Sequence, residues 1–298
     1  MMLIRALLLS LAFAAPAHAE KLASELFGSM SDPSPQDPMP IGAYAKGCGA
    51  GLMELPETGP TWQAMRLSRK RNFAHPDMVT FLVDLSETAR AIGFGKGLYI
   101  GDISQPRGGP MAGGHASHQI GLDADIWMLP PRSLGLSQSE REDISSIPVR
   151  SADQKSVTGN WTKTHRRLLQ EAALDPRVDR IFVAAAVKIE MCKTARASDK
   201  KWLQKIRPAA GHDTHFHVRL KCPEGARLCE TQTPTVAELS KNGDGCDETL
   251  TWWVTDYLNP PEPTRKKKPA DDDTPRKKGA REFTMADLPG QCRNVLVE

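Results

Sequence analysis

Apolar residues recur at three- and four-residue spacing between Pro76 and Ile92, at Met78, Phe81, Leu82, Leu85, Ala89 and Ile92. That period predicts an amphipathic helix with Pro76 in its first turn. A second helix is expected over Thr162–Ala173, capped by Asn160 and stopped by Asp175 and Pro176. Strict alternation takes over at His215–Leu220, where His215, His217 and Arg219 share one strand face and Phe216, Val218 and Leu220 share the other. The apolar face can anchor in a core, leaving the polar face to line a cleft. Leu98–Ile103, Leu122–Leu129 and Ile181–Val183 read as further strands, with a glycine-rich loop at 107–114. No internal repeat interrupts this succession, and one elaborated domain fits it better than two.

The two ends differ from this body. Arg5 is the only formal charge in the first 19 residues and precedes the apolar run Ala6–Ala15; Pro16 breaks the run, and Ala17-His18-Ala19 fits a small-x-small cleavage site. The run is about half of the ~20 residues a membrane-spanning helix needs, so residues 1–19 read as a cleaved signal peptide. No later segment is long and apolar enough to cross a bilayer. Residues 20–47 form an N-terminal arm, extended over the proline-rich stretch 29–40. From residue 259 to 298, prolines alternate with Arg265–Lys268, Asp271–Asp273 and Arg276–Lys278. This reads as a solvated tail that delivers Cys292 to a disulfide, in preference to one that contacts an anionic envelope polymer. The body between them is residues 48–258.

Composition narrows the options. The 298 residues are 40% hydrophobic and 25% charged, which is ordinary globular usage and excludes a disordered chain. A formal charge of +3 is too balanced for a dedicated nucleic-acid binder. The 23 glycines and 23 prolines predict a loop-rich fold. Six cysteines in an exported chain point to disulfides, and no CxxC pair opens a zinc site among them. The short loop between Cys222 and Cys229 suits a local bridge, but six cysteines allow about 15 pairings, so spacing leaves the connectivity open.

Five of the seven histidines beyond residue 19 fall into two short clusters. One is His115 and His118, followed by Asp123 and Asp125; the other is His212, His215 and His217. Asp123 and Asp125 again share a strand face. Imidazole and carboxylate are suitable zinc ligands, and a catalytic zinc site uses three protein ligands and leaves one position open. Either cluster alone is compatible with a hydrogen-bonded polar strand; both in one exported chain favour a metal site. His75 and His165 lie in surface or helical segments and read as structural.

His118-x6-Asp125 with His215-x-His217 resembles the zinc signature of the LAS metallopeptidases, which include D-alanyl-D-alanine carboxypeptidases and lysostaphin-type enzymes. Longer matches are similar to the penicillin-insensitive murein endopeptidases: Gly-His-Ala-Ser-His-Gln-x-Gly-Leu-Asp-x-Asp at 114–125 and His-x-x-His-x-His-Val-Arg-Leu at 212–220. So are Arg180–Val183, Trp202–Pro208 and Gly243–Cys246, and the resemblance runs from Cys48 to Cys292. It implies His118, Asp125 and His217 as zinc ligands and His215 as the catalytic histidine beside the metal. His115 and His212 become further active-site histidines. Asp153 matches a carboxylate associated with additional metal binding in that family, or with support of the site. Ser156 stands where the accompanying histidine would be, so one zinc is expected and a second is not. The resemblance also implies the pairings Cys48–Cys292, Cys192–Cys246 and Cys222–Cys229.

The expected protein is therefore a β-lactam-insensitive periplasmic zinc endopeptidase that cuts D-alanyl to meso-diaminopimelyl cross-links in peptidoglycan. Its fold is expected to be α+β, a small, mainly antiparallel sheet bearing the zinc site, flanked by helices and disulfide-tied loops. A zinc D,D- or D,L-carboxypeptidase would use the same metal core, and the sequence does not separate the two. A non-catalytic cell-wall binding module would explain the basic tail but not the clustered histidines. Ser198 and Lys201 satisfy Ser-x-x-Lys, but neither Ser-Asp-Asn nor Lys-Thr-Gly occurs to complete a serine acyl enzyme.

Overall fold

The computed structural model describes residues 20–260 and 276–297. The expected signal segment and the tail's first basic and acidic blocks lie outside the described residues. Among the described residues ten strands run in chain order: β1 (Met39–Ala43), β2 (Lys46–Ala50), β3 (Met53–Glu54), β4 (Trp62–Ala64), β5 (Phe73–Ala74), β6 (Leu98–Ile100), β7 (Asp123–Trp127), β8 (Val178–Val183), β9 (Ile206–Pro208) and β10 (His215–Leu220). Six of them form one sheet in the order β4-β6-β7-β10-β8-β9. The architecture is mixed α+β, with helices flanking a sheet larger than the small one expected. Its four inner strands pair antiparallel, while β4 and β9 add parallel edges. Both edge strands are three residues long, too short for alternation to show in the sequence. Their parallel pairing needs crossovers, which run through helix Pro76–Ala91 on one side and helix Ala185–Cys192 on the other.

Helix Pro76–Ala91 follows its apolar period. Pro76 sits where an amide N–H would lack a helical partner, and the His75 Nδ1 accepts from the Asp77 N–H at 3.2 Å. Gly93, at φ +83°, ends the helix just beyond Ile92. Met78, Phe81, Leu82, Leu85 and Ala89 are buried against Leu98, Ile100, Ile126 and Val218 of the sheet and Leu168, Leu169 and Ala172 of helix Lys163–Leu174. That second helix is capped by Thr162, not Asn160. His165 completes the cap: its Nδ1 accepts from the Thr162 N–H and hydroxyl, and its Nε2 donates to the Met128 carbonyl at 2.8 Å. His75 and His165 are both buried, so their structural role is in the interior.

On β10 the apolar face of Phe216, Val218 and Leu220 enters the core, as alternation requires. The polar face does not simply open to a cleft. His217 and Arg219 are buried as well, and only His215 is partly exposed.

A second, smaller core joins the chain's ends. Phe27 from helix Ala23–Gly28 and Ile41, Cys48 and Ala50 from the β1–β2 hairpin pack with Met285, Leu288, Cys292 and Val295. The hairpin spans residues 39–50, so backbone pairing continues across the boundary expected at residue 47. The cysteines pair as Cys48–Cys292, Cys192–Cys246 and Cys222–Cys229, leaving none free.

The Cys48–Cys292 bridge closes the longest loop, with a sequence separation of 244. Its loss releases the most chain entropy on unfolding, so a Cys48→Ser/Cys292→Ser double variant should lose about 3–5 kcal/mol of stability. Denaturant melts of the two proteins measure this, and unreduced peptide mapping of the parent should recover all three linked peptide pairs.

Candidate metal centre

The register of one strand pair assembles the centre. β7 and β10 run antiparallel with Asp125 directly opposite His217 and Asp123 opposite Arg219. Same-face residues on paired strands bring their side chains within reach of one another, so two polar couples stack on the sheet face away from the apolar core. The deeper couple is an ion pair: Arg219 Nε and Nη2 donate to Asp123 Oδ1 and Oδ2 at 2.7 and 3.0 Å. The shallower couple holds the donors. Asp125 Oδ1 lies 3.3 Å from His217 Nδ1.

His118 arrives from the loop before β7. Its backbone is left-handed, at φ +66°, a conformation that costs a β-carbon-bearing residue of order 1 kcal/mol and clusters at functional sites. Three contacts hold it there. Its N–H donates to Asp123 Oδ2 at 3.0 Å, its carbonyl accepts from Ser104 Oγ at 2.7 Å, and its ring Nδ1 lies 2.6 Å from the Ile103 carbonyl. A carbonyl only accepts, so Nδ1 carries the proton and Nε2 is left as a lone pair. That Nε2 sits 3.1 Å from His217 Nδ1 and 3.4 Å from Asp125 Oδ1.

His217 is oriented in the same way from the other side. Its Nε2 lies 3.0 Å from Asp123 Oδ1, off the line of an ideal hydrogen bond, and its Nδ1 faces the other two donors. Burial disfavours the Asp125 carboxylate, but His118 and His215 outweigh it and hold its pKa well below the ordinary range. Asp125 Oδ1 is buried with no hydrogen-bond partner. Three buried donor atoms therefore converge with mutual separations of 3.1, 3.3 and 3.4 Å. A tetrahedral zinc with ligand bonds near 2.0–2.1 Å has a donor–donor edge of about 3.3 Å. The geometry fits that ion. Burial opposes the charged His217 ring, but Asp123 and Asp125 outweigh it and raise its pKa, so a cation entering there displaces a proton from the donor set.

His115 borders the same atoms. One donor each from His115, His118 and Asp125 lie within 4.8 Å of one another, in the one such group among the described residues. The His115 Nε2 is also 3.0 Å from Asp102 Oδ2, closer than its 3.5 Å to Asp125 Oδ2. Asp102 went unread in the sequence. It is buried, and although burial opposes its charge, His115 and Arg71 pull its pKa down to about 2. Its main chain also ties β6 to the site, since the Asp125 N–H donates to the Asp102 carbonyl at 2.9 Å. His215 Nε2 stands 3.7 Å from Asp125 Oδ2, at the wall of a cleft of ≈ 320 Å³ that Arg66, Arg69, Trp127 and Ser146 also line. His212 lies behind it, its ring centre 5.1 Å from that of His215, and its Nδ1 is bonded to the Ala210 carbonyl. Burial, with His215 and His217 nearby, lowers the His212 pKa to about 4.

This donor set sits in a recognised family pattern. The family model for penicillin-insensitive murein endopeptidases matches residues 40–297. The chain belongs to that family. A penicillin-insensitive murein endopeptidase of Haemophilus influenzae is 42% identical over 224 residues, covering 75% of this chain and 74% of its own. One from Klebsiella pneumoniae subsp. pneumoniae is 38% identical, covering 83% and 86%. Another, from Salmonella paratyphi A, is 38% identical over 93% of each chain.

Two residues singled out in this family member stand apart. Asp153 is exposed and occupied locally, accepting from the Ser151 hydroxyl and the Lys155 N–H. Ser198 is exposed in a surface turn at 197–199. What the sequence left unread is the support: Asp102, Arg71 and the Asp123–Arg219 pair. Their signal was weak because each is a single charged residue whose partner is distant in the chain.

Asp123 offers a direct check. It orients His217 without belonging to the donor triangle, so Asp123→Asn should weaken zinc binding about 10- to 100-fold. Competition against a chelator of known affinity measures this. Unchanged affinity would show that the Asp123 contact does not govern the His217 donor.

Proposed function

We propose that this protein is an exported zinc metallo-endopeptidase that hydrolyses D-alanyl to meso-diaminopimelyl cross-links in peptidoglycan, with His118, Asp125 and His217 as metal ligands. The triangle of three buried donors at zinc-ligand spacing, with a histidine at its open side, carries this reading. Bound there, zinc supplies Lewis acidity toward a carbonyl oxygen and makes water acidic enough to be a nucleophile near neutral pH.

The protein's own part is to place and move protons. Burial disfavours the charged His215 imidazole and lowers its pKa despite Asp125, so at neutral pH its ring nitrogen can take a proton from the attacking water. Passing that proton to the amine nitrogen completes hydrolysis, with one C–N bond broken and one C–O bond formed. His115, held by Asp102, borders Asp125 on the cleft side. His212 backs His215 and keeps it from swinging away. A second metal at Asp153 has no support, because Asp153 is exposed and Ser156 adjoins it.

The rest of the chain fits export. Residues 1–19 serve as the signal for delivery to the periplasm, and residues 48–258 carry the peptidase. The tail is tied to it through Cys48–Cys292, and the segment 20–47 packs around that bridge through Phe27 and Ile41. No helix among the described residues is long and apolar enough to cross a membrane. A carboxypeptidase acting on stem peptides remains the rival for the same metal core, and reaction products separate the two.

His217→Ala should lose zinc and activity together, since a three-ligand site has no spare donor. His215→Ala should keep its zinc and lose turnover by about 10²-fold or more. Metal analysis alongside muropeptide digestion reads both, and zinc loss in the His215 variant would exchange the two roles.

No acyl-enzyme forms when water attacks directly. Cleavage of cross-linked dimers to monomers should therefore survive excess penicillin, stop with a chelator and return with zinc. Loss of a terminal alanine without loss of dimers would identify a carboxypeptidase instead.

A further inference from the structure

One cation in the cleft is unexplained by the metal site. Arg66 is half-buried, and its backbone is left-handed, at φ 59° and ψ 46°. Its N–H is bonded to the Arg141 carbonyl, its Nη2 donates to the Ile144 carbonyl at 2.8 Å, and its guanidinium lies 5.7 Å from the centre of the Trp127 ring. The side chain is thus fixed in place, yet among the described residues no carboxylate lies within ion-pairing distance of it. Glu142 is the acid that senses it, and both Glu142 oxygens are engaged by Ser68. The neighbouring Arg69 differs: its Nη1 is shared by the two oxygens of Asp102.

With Glu142 engaged by Ser68, this half-buried guanidinium has no direct ion pair, and a planar fork of this kind pairs best with a carboxylate. The anion it suits must enter the cleft that holds Asp125 and His215. At ≈ 320 Å³ that cleft is at the low end of small-ligand pockets, roughly 300–1,000 Å³. It has room for a residue or so beside the scissile bond. An anion reaching Arg66 therefore belongs to a residue adjoining that bond.

In the cross-link proposed above, the residue that supplies the amine carries a free carboxylate on the same carbon. We infer that Arg66, with Arg69 beside it, binds that carboxylate and makes the enzyme selective for cross-links in which it is unmodified. This rests on the endopeptidase reading and adds the substrate feature that the cleft selects.

The test compares two cross-linked muropeptide dimers, one with this carboxylate free and one with it converted to the carboxamide, using the zinc-loaded protein. The wild type should prefer the free acid by about 10- to 100-fold in kcat/KM, mostly through KM, the scale of a hydrogen bond to a charged group. Arg66→Gln should cut both dimers equally, at the rate the wild type shows on the carboxamide, with unchanged zinc content and melting temperature. Arg66→Lys should restore part of the preference, since it keeps the charge but not the fork.

Equal cleavage of both dimers by the wild type would overturn the subsite while leaving the endopeptidase in place. So would a loss of kcat in Arg66→Gln that is the same on both dimers, which would place Arg66 at the reacting carbonyl oxygen. Cleavage of neither dimer by the wild type would overturn the endopeptidase reading and the subsite with it.

Discussion

The pairing of β7 with β10 sets everything else at the centre of this protein. A slip of one residue in that register would turn every side chain to the opposite face, placing Phe216 and Val218 where Asp125 and the donors now meet. The apolar face forbids the slip, because Ala124, Ile126, Phe216 and Val218 are fully buried under the helices. The same packing that forms the core thus holds Asp125 opposite His217.

The cost of this arrangement lies one step deeper. Asp123 and Arg219 are buried charges, and desolvating such a pair can outweigh its attraction unless the remaining hydrogen-bonding sites are filled. Here they are. Asp123 meets the His118 N–H, His217 Nε2 and both arms of Arg219. The guanidinium packs 4.2 Å from the Tyr44 ring centre and 5.3 Å from that of Phe182. One carboxylate therefore contacts two histidines of the candidate centre, one from the loop and one from the strand. The left-handed backbone of His118 persists because these contacts over-determine it.

Around this rigid interior the polar groups of the cleft divide into those already paired and those left open. Asp102 gathers Arg69, Arg71 and His115; His212 is bound to the chain beside it. Asp125 Oδ1 remains without a hydrogen-bond partner, and the Arg66 guanidinium without an ion pair among the described residues. A buried polar group without a partner is expensive, and this carboxylate oxygen stands where the candidate donors converge.

Much of this was legible in the chain. The periods at Pro76–Ile92 and His215–Leu220 are long enough to declare their elements, and histidines two and three residues apart are local patterns that composition does not produce by chance. Membership of the murein endopeptidase family followed from the same local motifs. Tyr44, Arg66, Asp102 and the edge strands β4 and β9 were not legible. Each is a short segment or a single residue whose meaning depends on a partner far away in sequence. The sequence by itself determined which residue types could bind a metal, because ligand chemistry belongs to the side chain. Only the tertiary structure decided which atoms face one another and which charge is left unpaired, because those follow from strand register and burial.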